Sequence, residues 1–199
     1  MTKNKIDARL EQCKAEGRKA LITFITAGDG GYDCTEKAVL EMAKNGADLI
    51  ELGVPFSDPI AEGPVIQCAS ERSLRNGTTL VGIFDLVRRL RKETDVPLLL
   101  MMYLNTIFCF GTDRFFALCE ECGIDGVIVP DIPFEEKDEI QGSADAHNVH
   151  NISLVTPASE DRIQMIASEA TGFLYCVSSN GASLRKFFPI SYTPSKPPT

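Results

Sequence analysis

Three carboxylates fall within the span Glu51-Leu-Gly-Val-Pro-Phe-Ser-Asp-Pro-Ile-Ala-Glu-Gly-Pro-Val-Ile-Gln67: Glu51, Asp58 and Glu62. Glu51 ends an apolar run, Ala47-Asp-Leu-Ile-Glu-Leu52, so folding that run into a strand removes its charge from water. A carboxylate in that position must be paired, or must be held with a raised pKa and used. The loop that follows is rich in glycine and proline and carries the other two acids. Two carboxyl groups in different surroundings can divide general acid and general base work between them. The bland reading is a salt-bridged core glutamate beside an ordinary turn.

The elements that must position these groups alternate along the chain. Short apolar runs at 20–25, 47–52, 97–103, 126–130, 152–156 and 172–177 predict six strands. Helical patterns fit at about 5–15, 34–45, 66–75, 79–92, 112–122, 135–147 and 159–168. Several helices have a Thr, Asp or Ser near the start, or a glycine just past the end, as at Asn45-Gly46 and Cys122-Gly123. This is the order of parallel βαβ units, in a (β/α)8 barrel or a doubly wound sheet. The loop after the first run reads Thr26-Ala-Gly-Asp-Gly-Gly31 and lacks the G-x-G-x-x-G fingerprint, which weakens the dinucleotide-binding reading. Polar residues recur where strands end: Asp29, Glu51, Tyr103, Asn105 and Asp131. In a barrel those positions converge on one rim. The gap of about 50 residues between the second and third runs holds the acidic loop and an extra helix, as a functional insertion would.

Composition bounds the function. The chain has 199 residues, 44% apolar and 24% charged, which suits one globular domain. A net charge of -8 argues against nucleic acid or an anionic membrane as partner. Residues 1–20 lack the apolar core of a signal peptide, and no apolar run reaches the roughly 18 residues that span a bilayer. A cytoplasmic protein is expected. Seven scattered cysteines suit reduced thiols, and the single pair Cys119-Glu-Glu-Cys122 reads as packing within a helix, as do His147 and His150; no metal site is expected. The six strands end by Val177, whereas a full barrel takes about 250 residues. Residues 1–181 therefore read as an incomplete TIM-barrel domain with strands 7 and 8 missing, and 182–199 as a divergent proline-rich tail.

Six stretches resemble the tryptophan synthase alpha subunit: Phe24-Ile-Thr-Ala-Gly-Asp29, residues 51–67, Ala69-Ser-Glu-Arg-Ser-Leu-Arg-Asn-Gly-Thr-Thr79, Met102-Tyr-Leu-Asn-Thr-Ile-Phe108, Asp125-Gly-Val-Ile-Val-Pro-Asp-Ile-Pro133 and Tyr175-Cys-Val-Ser-Ser179. The resemblance covers about residues 4–181 and implies a (β/α)8 barrel. It further implies a lyase of tryptophan biosynthesis that cleaves indole-3-glycerol phosphate to indole and glyceraldehyde 3-phosphate. The implied partner is the beta subunit in an alpha2-beta2 complex; this chain would carry no cofactor, and pyridoxal phosphate would belong to the beta subunit.

By that resemblance Glu51 is the acid/base at the ring carbon and the side-chain hydroxyl. Glu62 stands where the family usually has an aspartate facing the indole nitrogen, so the charge is kept and one methylene is added. Phe24, Ile66, Met101 and Ile128 correspond to the indole pocket, Tyr103 and Tyr175 to residues beside the substrate, and Gly181 and Ser183 to the loop that closes over it. Asp58, Asn105 and Asp131 are expected to order loops or to face the partner subunit; Asp58 reads equally as a turn residue bonding its own backbone. Taken alone, the apolar members of this set read as barrel core. The alternative function is a catalytically inactive form that still binds the beta subunit. A Schiff-base aldolase is disfavoured, because none of the six strands carries a lysine.

Overall fold

The computed structural model describes residues 3–60, 62–156, 159 and 162–177. Strands β1 (Ile22–Thr26), β2 (Leu49–Gly53), β3 (Leu98–Met101), β4 (Gly126–Ile128) and β5 (His150–Asn151) form a parallel sheet in the order of the chain. A second parallel pair joins β6 (Leu154–Val155) to β7 (Tyr175–Cys176). The ladder runs on between the two sheets: the Ile152 amide donates to Val127 O at 2.9 Å, and the Tyr175 amide donates to Ser153 O at 2.9 Å. The predicted fifth strand, 152–156, is therefore two short pieces at 150–151 and 154–155, the first paired backward and the second forward. The six barrel strands follow one another in sequence order, and the alternation of apolar runs with helices does correspond to a barrel wall.

Period-2 alternation divides the strand side chains between two cores. Ile50, Leu52, Leu98, Leu100 and Val127 face the helical layer, where they meet Ile83, Phe84, Phe115 and Phe116. Leu49, Leu99, Ile128, Ile152 and Phe173 form an interior cluster with Ile6 and Leu10. The last two come from α1 (Lys5–Ala15), which closes the interior from below. Asn4 fixes that helix: its Oδ1 accepts from the Ile6 amide, and its Nδ2 donates to Asp125 O and Asn148 O, all at 2.8 Å. The two carbonyls precede β4 and β5, so the helix is tied to the strand starts.

The outer helices α2 (Tyr32–Lys44), α3 (Pro64–Arg75) and α4 (Leu80–Leu90) follow the predicted boundaries closely. In α4, Thr79 accepts from the Gly82 amide as N-cap, and Ile83, Phe84, Leu86, Val87 and Leu90 make one fully buried stripe. Next come α5 (Leu104–Phe110) and α6 (Thr112–Cys122). The latter ends on Gly123 at φ 85°, a left-handed turn that glycine adopts without strain. A 3-10 turn at Phe134–Glu136, α7 (Asp138–Ala146) and α8 (Ile163–Glu169) complete the described helices. Cys119 and Cys122 are buried in the helical core and burial pushes both thiols up, as packing residues require. Among the described residues no group of His, Cys, Asp or Glu could hold a metal ion, and no helix is long and apolar enough to cross a membrane.

Buried acids at the strand starts are paired. Asp48, just before β2, accepts from Arg18 at 2.7 and 2.8 Å and from the Leu21 amide at 2.8 Å, and Arg18 above all pulls its pKa down to about 2. Asp125, just before β4, accepts from Arg91 at 2.7 Å and from the Leu98 amide at 2.9 Å. Glu51, farther along β2, is treated differently.

Candidate active site at the C-terminal rim

Glu51 is the third residue of β2, in register with Phe24 on β1 and Leu99 on β3. It follows inward-facing Leu49 by two residues, so the pleat turns it toward the barrel interior. The residue is 1% exposed, and its Oε1 has no hydrogen-bond partner among the described residues. Burial alone pushes its pKa up to about 7, from an ordinary 4.5. Near neutral pH the group is thus divided between acid and base, the condition a proton-transfer residue needs.

Glu62 lies in the loop between β2 and α3. It is half-buried, its Oε2 is buried without a partner among the described residues, and burial raises its pKa as well. Its main chain is anchored from the helix side: the Glu62 carbonyl accepts from Gln67 Nε2 at 2.9 Å, and Pro64 starts α3 immediately after Gly63. The loop's other end is held by Tyr103, whose hydroxyl accepts from the Ile60 amide at 3.2 Å and whose ring lies 4.8 Å from that of Phe56.

Met101 and Ile128, the last residues of β3 and β4, are register partners and both belong to the interior cluster, Ile128 fully buried and Met101 half-buried. Tyr175 packs against the same cluster; burial raises its pKa, and the charge of Glu51 raises it further. Phe24 is 36% exposed, with its ring over Gly53, and Ile66 is half-buried on α3. The structure therefore gathers Glu51, Met101, Ile128 and Tyr175 around the interior, with Phe24 beside Glu51 on the neighbouring strand.

Other expected positions have plainer surroundings. Tyr103 follows β3 as the N-cap of α5, whereas Asn105 is exposed on that helix rather than on a loop, accepting from Cys109 Sγ at 3.6 Å. Asp131 accepts from the Leu104 amide with both carboxylate oxygens, at 2.9 and 3.2 Å, and so caps α5. Asp58 is exposed and bonded to the Ser57 hydroxyl. Asp29, at the end of β1, makes a bidentate pair with Arg72 of α3 at 2.8 Å on both arms. His147 contacts Glu120 and His150 contacts Asp7, away from the rim. Gly181, Ser183 and the tail 182–199 lie outside the described residues.

Two contributors had no role in the sequence reading: Gln67, which holds Glu62, and Arg72, which ties α3 to the loop after β1. The only signal for Gln67 was a polar side chain in the first turn of a helix beginning at a proline.

The family described as Tryptophan synthase alpha chain matches residues 10–186. A tryptophan synthase alpha chain from Clostridium kluyveri is 46% identical over 180 residues, covering 90% of this chain and 68% of that protein. A crystal structure of tryptophan synthase subunit alpha from Legionella pneumophila matches with a TM-score of 0.86 at 40% identity, covering 89% of this chain and 68% of that one. The tryptophan synthase a2b2 complex from Pyrococcus furiosus matches with a TM-score of 0.75 at 33% identity, covering 88% and 65% respectively. Sequence and barrel thus agree over nearly the whole chain, and on that ground the chain belongs to the tryptophan synthase alpha chain family, a family of lyases built on a parallel α/β barrel.

Proposed function

We propose that the chain cleaves indole-3-glycerol phosphate to indole and glyceraldehyde 3-phosphate, with Glu51 and Glu62 as its two proton-handling groups. The observation that carries this reading is Glu51: an interior carboxyl on β2 whose Oε1 has no partner among the described residues, with its pKa near 7. In the reaction Glu51 in its acid form protonates the ring carbon that bears the glycerol chain. The bond between that carbon and the side chain then breaks, and its electron pair restores the aromatic ring. The adjacent side-chain hydroxyl becomes the aldehyde and returns its proton to the Glu51 carboxylate. Glu62, as carboxylate, takes up the ring N–H as positive charge develops on the nitrogen and gives the proton back as the ring recovers. Phe24, Ile66, Met101, Ile128 and Tyr175 enclose the indole.

The Pyrococcus furiosus neighbour is a tryptophan synthase a2b2 complex, which supports a beta subunit as the partner of this chain, with pyridoxal phosphate on the beta side. Asp58 and Asn105 are exposed on the rim and are available to such a partner. The test is Glu51→Gln, which removes the titrating proton but keeps size and hydrogen bonding. Indole release should fall to background while circular dichroism and beta-subunit binding stay unchanged; retained indole release would sink the assignment.

A further inference from the structure

We propose that Tyr103 is a positioning residue, which sets the place of the Glu62 carboxylate by holding the loop between β2 and α3. The inference rests on the reading that Glu62 handles the ring N–H proton. Tyr103 is 4% exposed and stands at the junction of β3 and α5. Two of its contacts bracket the loop: the ring meets Phe56, and the hydroxyl accepts from the Ile60 amide at 3.2 Å. Ile60 has no packing of its own to fix it, since the residue is 79% exposed. Its backbone amide is therefore a point at which this part of the loop is attached to the barrel, two residues before Glu62.

The attachment point is itself rigid. Asp131 takes the Leu104 amide with both oxygens and so fixes the chain immediately after Tyr103. On the far side Gln67 holds the Glu62 carbonyl at 2.9 Å. Glu62 is thus suspended between two anchors, one on α3 and one on the β3–α5 junction. A shift of about 1 Å in a reacting group can lower a rate by about 100-fold. Loss of the Tyr103 anchor leaves the loop free on one side to make such a shift. A phenol that merely touched the substrate would act independently of Glu62, and this is what separates the two roles.

Tyr103→Phe keeps the ring and its contact with Phe56 and removes only the hydroxyl. For indole release by the full chain with its beta partner, we expect kcat to fall by roughly 10- to 100-fold, with a smaller change in KM. In a Glu62→Gln background the same change should cost less than about 2-fold, because a residue acting only through Glu62 has nothing left to position. A second readout needs no turnover. In a carboxyl-carbon NMR titration, Tyr103→Phe should move the Glu62 midpoint toward the ordinary carboxylate range as the loosened loop admits water, while Glu51 stays in place. Losses that multiply in the double variant, or a Glu62 midpoint that does not move, would overturn the proposal. If Glu62→Gln alone leaves indole release intact, the fault lies with the catalytic role given to Glu62, and the NMR titration still decides whether Tyr103 holds its carboxyl.

Discussion

Glu51 on β2 and Tyr175 on β7 are far apart in the chain, yet the glutamate's charge reaches the phenol: burial raises the Tyr175 pKa first, and Glu51 raises it further. Both are supplied by the barrel interior, one from an early strand and one from the last described. Glu51→Gln should therefore lower the midpoint of one tyrosine without moving the others. Ultraviolet titration of tyrosinate, at alkaline pH where circular dichroism shows the fold intact, reads this directly. Superimposable titrations of the two proteins would show that the pair does not interact.

The raised pKa of Glu51 has a stability consequence of defined sign. The folded chain keeps the Glu51 proton up to about pH 7, whereas the unfolded chain releases it near 4.5. Between those values the folded state binds more protons, so stability falls as pH rises through the window and levels off above it. The full difference is about 3 kcal/mol. Glu51→Gln lacks this dependence, so its stability relative to the parent should rise by up to that amount between pH 4.5 and pH 8 in urea unfolding. A constant offset across that range would mean that Glu51 is solvated or paired.

Glu62→Asp shortens the side chain by one methylene and restores the residue usual in the family. Activity should stay equal or rise, because the loop anchors on either side are main-chain and Tyr103 contacts that the change leaves alone. A loss of 100-fold or more would show a site built around the longer side chain.

Gly53 lets Phe24 fold inward. A Cβ at position 53 would lie 2.6 and 2.8 Å from the ring atoms Cζ and Cε2 of Phe24, distances no relaxed contact allows. Gly53→Ala should therefore swing the Phe24 ring away from its place beside Glu51 and raise KM for indole-3-glycerol phosphate by about 10-fold, with a smaller effect on kcat. Steady-state kinetics on the purified variant check this; an unchanged KM would remove Phe24 from the indole pocket.

Much of this architecture was written in the sequence, for local reasons. Continuous apolar runs bounded by turn residues suit strands covered on both faces, and the spacing of Ile83, Phe84, Leu86, Val87 and Leu90 suits one buried helix stripe. Gly123 marks a helix end because its left-handed turn is cheap for glycine. Glu51 stood out because a carboxylate in an apolar strand demands an explanation.

Tertiary structure decided the rest. Helix α5 was not foreseen: Leu104-Asn-Thr-Ile-Phe-Cys-Phe110 has no clear polar face, and its N-terminus is capped by Asp131, a residue from another loop whose position no local pattern reveals. For the same reason Asp131 was legible only as a residue that orders a loop or faces the partner, without the helix end it caps, and the strand predicted at 152–156 appeared single when the chain pairs with different neighbours at 150–151 and 154–155. Above all, the sequence marks Asp48, Asp125 and Glu51 alike as acids beside apolar runs. Only the fold brings Arg18 and Arg91 to the first two and, among the described residues, brings no cation to the third. A charge's worth depends on what stands within a few ångströms of it in space, and the chain order does not contain that distance.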